Sequence, residues 1–370
     1  MPFFCGRHRA FIYERGGVNL IAEIEPLTAV RWQRIRDDVS TAEIRVPTHY
    51  CCEILGDLRT VKHELHLYRN DLPVWEGPIT RIEYEFEQAS IFAADVLWQA
   101  TRTVLNEGYN QAYPNIGNAI DRMDWLMRDK TFELYGDPWN VATAGHLHPL
   151  HHAGDPKTAR VVNAWQFYTW EDFDKYAEDY GTDYTVVGRD IYYFDLNLAW
   201  KIIPPLDENY LSQFPRIVEY GNQAATRGVV TNGHGYAGVS EFPAPALIDE
   251  WGHIDWLVTN ESDGQLDNVP TPEEIATWEA TAARNINDRV PPPVAIVIPA
   301  NTTLLPGGPW LIEDLVPGAW FQADVTRLCR SVSEYQRIHE VVVTEQAPDG
   351  ETVQFSAVSA PASMVMPEDP

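Results

Sequence analysis

The chain has 370 residues, with 27 Lys and Arg against 54 Asp and Glu, a net charge of −27, and four cysteines. That length accommodates two to four domains at roughly 100–200 residues each, and the charge excludes a phosphate-grasping surface as the main role, because nucleic-acid affinity rests on clustered cations. Cys5, Cys51, Cys52 and Cys329 form no C-x-x-C pair, the opening MPFFCGRHRAF lacks the apolar core of a signal peptide, and no run of eighteen apolar residues exists; free thiols, synthesis in a cytoplasm and no membrane span are expected.

Residues 1–104 read as all-β. Val18 to Ile24 and Ala42 to Val46 are strand patterns, and between them the densest basic run, Arg31 to Arg36, is broken by Trp32, Gln33 and Ile35 and followed by Asp37-Asp38. No sequence-specific nucleic-acid binding is therefore expected, although an acidic wall lets a polyanion slide past without sticking. In the next stretch Val61, Leu65 and Leu67 alternate with Lys62, Glu64 and His66, the period of a half-buried strand. Asn70-Asp71-Leu72-Pro73 carries turn chemistry, and Ile82, Tyr84 and Phe86 alternate with Arg81, Glu83, Glu85 and Glu87. Antiparallel sheet with one wet face is predicted, of the kind that closes into barrels or sandwiches.

Residues 105–205 read as a small α/β insert. After a break rich in Asn, Gly and Pro (106–118), Asn118 is placed to cap a helix bearing Ile120, Met123 and Met127. A second helix is predicted from Thr169 as cap, with Trp170, Phe173, Ala177 and Tyr180 on one face and Gly181 as its stop. A hairpin from Tyr184 to Phe194 turns at Gly188-Arg189-Asp190, and the irregular stretch 136–159 between the helices reads as a surface excursion. Residues 206–290 alternate short strands, Arg216 to Tyr220 and Gly228 to Thr231, with loops. They end on a helix opened by the capping box Thr271-Pro272-Glu273-Glu274, with Ile275, Trp278, Ala282 and Ile286 as its buried stripe. Pro291 to Pro293 launch the strands of residues 291–360, including a hairpin from Val341 through Asp349-Gly350 to Phe355. Residues 361–370, with three prolines and two acids, read as a flexible tail.

Four features could carry chemistry. Gly233-His234-Gly235-Tyr236-Ala237-Gly238 matches G-x-G-x-x-G, but a dinucleotide site needs a helix directly after it, and Pro243 and Pro245 oppose one. His146, His148, His151 and His152, with Asp155 as the nearest carboxylate, contain zinc-ligand chemistry, yet Pro149 breaks any helix that would align them. The acidic pairs Asp37-Asp38, Glu171-Asp172 and Glu273-Glu274 do not establish the spaced carboxylates of a glycosidase, and two of the pairs sit in helix first turns. No G-x-S-x-G is present, so neither catalysis nor a cofactor or metal is expected. Thirteen Trp and seventeen Tyr remain. Trp75, Trp98, Trp170 and Trp278 fall on patterned apolar faces, whereas Trp125, Trp139, Trp165, Trp251, Trp256 and Trp310 lie in irregular context and are the candidate interface aromatics.

Several phrases carry a resemblance: "RW…DDVSTAEIRVP" (Arg31 to Pro47), "LHLYRNDLPVWEGPITRIE" (Leu65 to Glu83), "DYTVVGRDIYYF" (Asp183 to Phe194), "PPPVAIVIP" (Pro291 to Pro299) and "DLVPGAWFQADV" (Asp314 to Val325). Together they resemble the minor tail proteins of siphophages infecting actinobacteria, of the tail-hub or baseplate-hub kind. The resemblance implies an α+β fold, mainly antiparallel, with two tube-like β-barrel domains (1–104 and 291–360) and small α/β inserts. A loose echo, Arg81-Ile82 to Glu87-Gln88-Ala89 against Arg337-Ile338 to Glu345-Gln346-Ala347, fits such a duplication. It further implies a homotrimeric ring in the virion that closes the tail tube. The ring would meet a distal tail protein and fibre or other tip proteins, and would pass tape-measure protein and DNA. Hub proteins often carry a fused lytic domain, and none is found here. A carbohydrate-binding receptor module at the tail tip is the alternative reading, and a wall-degrading enzyme the third.

Overall fold

A computed structural model describes residues 6–106, 119–133, 136–141, 147–149, 164–195, 198–231, 235–241, 245–259, 270–287, 289, 294–299, 302–346 and 350–359. The chain divides into two units, Met1–Pro215 with Ile298–Pro370, and Arg216–Val297. Asn118, Asp349 and the tail 361–370 lie outside the described residues, as does most of the 136–159 stretch.

In the first unit the strands are β1 (His8–Glu14), β2 (Leu20–Ile24), β3 (Ala29–Ile35), β4 (Thr41–Pro47), β5 (His63–Arg69), β6 (Leu72–Tyr84) and β7 (Gln88–Ala94), with helix α1 (Thr48–Asp57) between β4 and β5. Helix α1 departs from the all-β expectation: it has no side-chain cap hydrogen bond and no acid in its first turn, so none of the usual start signals marks it. The β5–β6 turn follows its residue types. Asn70 and Asp71 both have positive φ, 49° and 66°, the backbone of a tight hairpin whose twist matches its strands.

The expected pair of closed barrels is overturned. Strand β6 pairs with β5 through its first half and with β7 through its second, slipping register between Ile79 and Arg81. The chain of pairings then runs through β4 and β3 to β18 (Val332–Gln346), and on to β17 (Trp320–Val325) and β11 (Leu206–Asp207). Strand β19 (Gly350–Ser359) pairs along β18. The path through this eleven-stranded sheet ends at β2 and β11, and no sheet among the described residues closes. The physical reason lies at β3: its free edge is taken in register by β18, from Ile35↔Glu340 to Ala29↔Gln346. Strands of the first and last segments thus extend one open sheet, where a barrel would need each segment to pair with itself.

Residues 105–205 contribute α2 (Ala119–Met127), β8 (Leu147–Pro149), α3 (Thr169–Tyr180), β9 (Thr182–Val187) and β10 (Asp190–Asp195) to the first unit, the strands ordered β8-β10-β9. Ile120, Met123 and Met127 of α2 pack with Phe173 and Tyr176 of α3 and with Tyr184, Ile191 and Tyr193 of the sheet. Gly181 ends α3 at φ 62°, as its sequence position predicts, but the cap at the other end differs. Tyr168 is the N-cap, its N–H donating to Glu171, while the Thr169 hydroxyl donates to the Thr103 carbonyl.

The second unit contains β12 (Arg216–Glu219) paired with β16 (Val294–Val297), and a sheet β14-β13-β15 of Ala237–Glu241, Arg227–Thr231 and Asp255–Thr259. Helices α4 (Pro245–Trp251) and α5 (Pro272–Asn287) complete it. The capping box of α5 forms as the sequence predicts: Thr271 N donates to Glu274 Oε2 at 2.6 Å and Glu274 N to Thr271 Oγ1 at 3.2 Å. Trp278 and Ala282 of its stripe pack on Val230. Gly228 and Gly238 permit the approach, since a Cβ at either would collide with the backbone of α5.

Candidate functional site

The six candidate tryptophans separate by burial. Trp139 and Trp310 are 1% and 2% exposed, which takes them out of any interface. Trp139 Nε1 donates to Gln99 at 2.9 Å, and Trp310 Nε1 donates to the Pro204 carbonyl at 2.6 Å. Their irregular sequence context concealed core positions; Trp310, for one, meets Phe321 and Phe355 edge-on. Trp125 is half-buried beside Arg122 and Lys130, Trp251 is half-buried, and the Arg289 guanidinium lies 3.3 Å from the Trp256 ring centroid. Trp165 stands apart: it is 70% exposed and holds φ at 62°, a backbone region unfavourable to a bulky side chain. Of the residues placed in the core from sequence, Trp75 and Trp278 are buried, while Trp98 and Trp170 are half-buried.

The motif-bearing segments give no ligand geometry. His146, His151, His152 and Asp155 lie outside the described residues; His148 stacks on Tyr192 and faces Asp190 at 3.4 Å. Among the described residues no group of three or more His, Cys, Asp or Glu is arranged to hold a metal. Gly233 and His234 are likewise outside the described residues, and Gly238 is part of strand β14. Pro245 does not oppose a helix but opens α4, where its missing N–H is harmless.

Two buried charge clusters were not legible in the sequence. The predicted wet face of β5 is one of them, for Glu64 is 0% exposed and His66 is buried. Arg189, at the β9–β10 turn, reaches across to pair with Glu64 and, through Nε, with Glu76 at 3.1 Å; its Nη1 donates to the Trp139 carbonyl. His66 contacts Glu64 at 3.1 Å and Glu76 at 3.4 Å under the stacked ring of Tyr13. Burial opposes ionisation of Glu64, but the His66 hydrogen bond and the Arg189 charge outweigh it, so its carboxyl lies below its ordinary value. An ionised carboxylate held by fixed donors is a lock between two hairpins, not a proton donor.

The second cluster joins the end of β3 to β9 and β18. Arg36 pairs with Asp37 at 2.9 Å and with Asp183 at 3.3 Å, and Arg337 also pairs with Asp183. Asp37 Oδ1 accepts from Tyr184 N at 3.0 Å. Burial and the neighbouring Asp183 charge push the Asp37 carboxyl up to about 7, with Arg36 opposing. Burial lowers Arg337 to about 10 against the pull of Asp183. Asp37 was noted in sequence only beside Asp38; its functional neighbour in space is 146 positions further along the chain.

Neither a family model nor a curated protein matches the sequence. The fold is similar to that of the 43 kDa tail protein of prophage MuSo2 from Shewanella oneidensis, with TM-score 0.59 and 12% identity over 97% of this chain and 100% of that one. It is similar also to the tail protein from Neisseria meningitidis MC58, with TM-score 0.56 and 10% identity over 95% of this chain and 96% of that one. A third likeness is to the prophage tail protein gp18 from Listeria monocytogenes EGD-e, with TM-score 0.53 and 10% identity over 94% of each chain. What is shared at such identities is the fold, along nearly the whole length. The likeness is to tail proteins from several bacterial sources and does not single out the siphophages of actinobacteria.

Proposed function

We propose that this chain is a structural component of a phage tail, acting at the tail tip as a hub. The observation that carries the reading is the end-to-end fold likeness, which reaches 97% of this chain and 100% of a prophage tail protein. A fold shared along nearly the whole chain favours a shared assembly role over a grafted activity, although fold alone does not fix function. In this reading three copies form a ring in the virion. The ring meets the distal tail protein on one side and tip or fibre proteins on the other, and tape-measure protein and DNA pass through it. Trp125, Trp165, Trp251 and Trp256 are the aromatics offered to neighbouring subunits. The excess of acids over bases, 54 to 27, suits a channel that must not retain a polyanion.

The test is biochemical. Epitope-tagged chain, produced together with the other tail proteins of its phage, should be recovered in tail-tip complexes containing three copies, and should pass through a duplex-DNA column at 150 mM salt. Isolated protein that binds host-wall glycans and is missing from tail-tip complexes would replace this reading with the receptor module.

A further inference from the structure

A cavity of about 440 Å³ lies between the β5–β6 and β9–β10 hairpins, lined among others by Tyr13, Arg34, His66, Tyr68, Glu76 and Asp190. Its size falls within the roughly 300–1,000 Å³ of small-molecule sites. Arg34, on β3, is 5% exposed. Its Nη1 donates to the Leu315 carbonyl at 3.1 Å and its Nη2 to the Val74 carbonyl at 2.8 Å, while Nε has no hydrogen-bond partner. No carboxylate among the described residues lies within 4.0 Å of the guanidinium, and Glu313 acts on it only at longer range. A buried arginine keeps its charge at neutral pH and ordinarily has a carboxylate or phosphate to match its planar fork.

The other charged residues of the cavity are already engaged. Glu76 pairs with Arg189 at 3.1 Å, and Asp190 faces His148 at 3.4 Å. Arg34 is therefore the charge whose counter-ion is missing, and half-buried Tyr13 and Tyr68 give the cavity aromatic walls. We propose that this cavity binds a small ligand carrying a carboxylate and a planar apolar body, the carboxylate pairing with Arg34 and the body lying against Tyr13 and Tyr68. The inference stands independently of the tail-hub reading.

Isothermal titration of the full chain at constant ionic strength tests it, with benzoate as the charged planar probe, benzamide as its neutral counterpart and acetate as the carboxylate without a body. Benzoate should bind saturably, at least tenfold more tightly than either of the others, and Arg34→Gln should weaken it at least tenfold. Because Arg34→Gln touches two backbone carbonyls and can unfold the sheet, Glu76→Gln provides a second arm. Removing that carboxylate should tighten benzoate several-fold, since it repels the probe and neutralises Arg189. Absence of saturable benzoate binding, equal binding of benzamide, undiminished binding in folded Arg34→Gln, or unchanged or weaker binding in Glu76→Gln would each overturn the proposal.

Discussion

Arg69 and Glu351, 282 positions apart, meet in a buried two-pronged ion pair: Nε to Oε1 at 2.6 Å and Nη2 to Oε2 at 2.7 Å. Their side chains are 2% and 0% exposed. The pair ties the β5–β6 hairpin of the first segment to β19 of the last. Removing one partner strands a buried charge, which costs about 3–5 kcal/mol, whereas replacing both with apolar residues is far milder. Urea unfolding should show Glu351→Leu losing about that much stability and Arg69→Met/Glu351→Leu recovering most of it. A double variant as unstable as the single one would show that the pair is not what joins the segments.

His8 is held in one tautomer. Trp32 Nε1 donates to His8 Nε2 at 3.0 Å, so the ring proton of the neutral imidazole sits on Nδ1, which donates to Glu345 at 2.6 Å. In ¹⁵N-detected spectra His8 should carry the signature of the Nδ1–H form, and Trp32→Phe should release it toward a tautomer mixture. A dominant Nε2–H signature in the unmodified chain would contradict the network.

Asp95 is fully enclosed, its Oδ2 accepting from Ser40 N at 2.7 Å and Oδ1 from Leu97 N at 3.0 Å. Burial raises its carboxyl from 3.8 to about 7 despite those hydrogen bonds. Between those two values the folded chain holds a proton that the unfolded chain has released. This contribution to stability is therefore full below about pH 4 and is lost as pH rises through about 7, amounting to about 4 kcal/mol at the upper limit. Asp95→Asn should flatten the fall of stability between about pH 4 and 7, measured by denaturant unfolding at successive pH values. The slope is the readout, because a weakened hydrogen bond shifts the curve without tilting it. An unaltered slope would assign the pH dependence elsewhere, with Asp37 the next candidate.

Trp165 combines high exposure with a left-handed backbone, a conformation that costs about 1–3 kcal/mol for such a residue. Trp165→Gly should relieve that strain and leave melting unchanged or raised by a few degrees. If the side chain serves assembly, the same variant should be depleted from tail-tip complexes relative to a Trp125→Phe control. Normal incorporation would remove Trp165 from the interface.

What was legible in the sequence was local. Asn70-Asp71, Gly181 and the Thr271–Glu274 box each encode their structure within four residues, and the structure follows them. The pairing of β3 with β18 has no local signature, because its partners are about 300 positions apart, and without it two barrels are the natural reading. Glu64 and His66 alternate like solvent-facing residues; only Arg189, more than a hundred positions later, turns that face into an interior. The Arg34 cavity is hidden for the same reason, since two hairpins and two further strands, β1 and β3, from separate segments build its walls.

Electron cryomicroscopy of the intact tail tip tests the tail-hub reading most directly. The predicted result is three copies of this chain arranged as a ring around the channel, with the channel-facing surface net negative. A single peripheral copy, a twofold arrangement, or a lumen lined chiefly by Lys and Arg would contradict it.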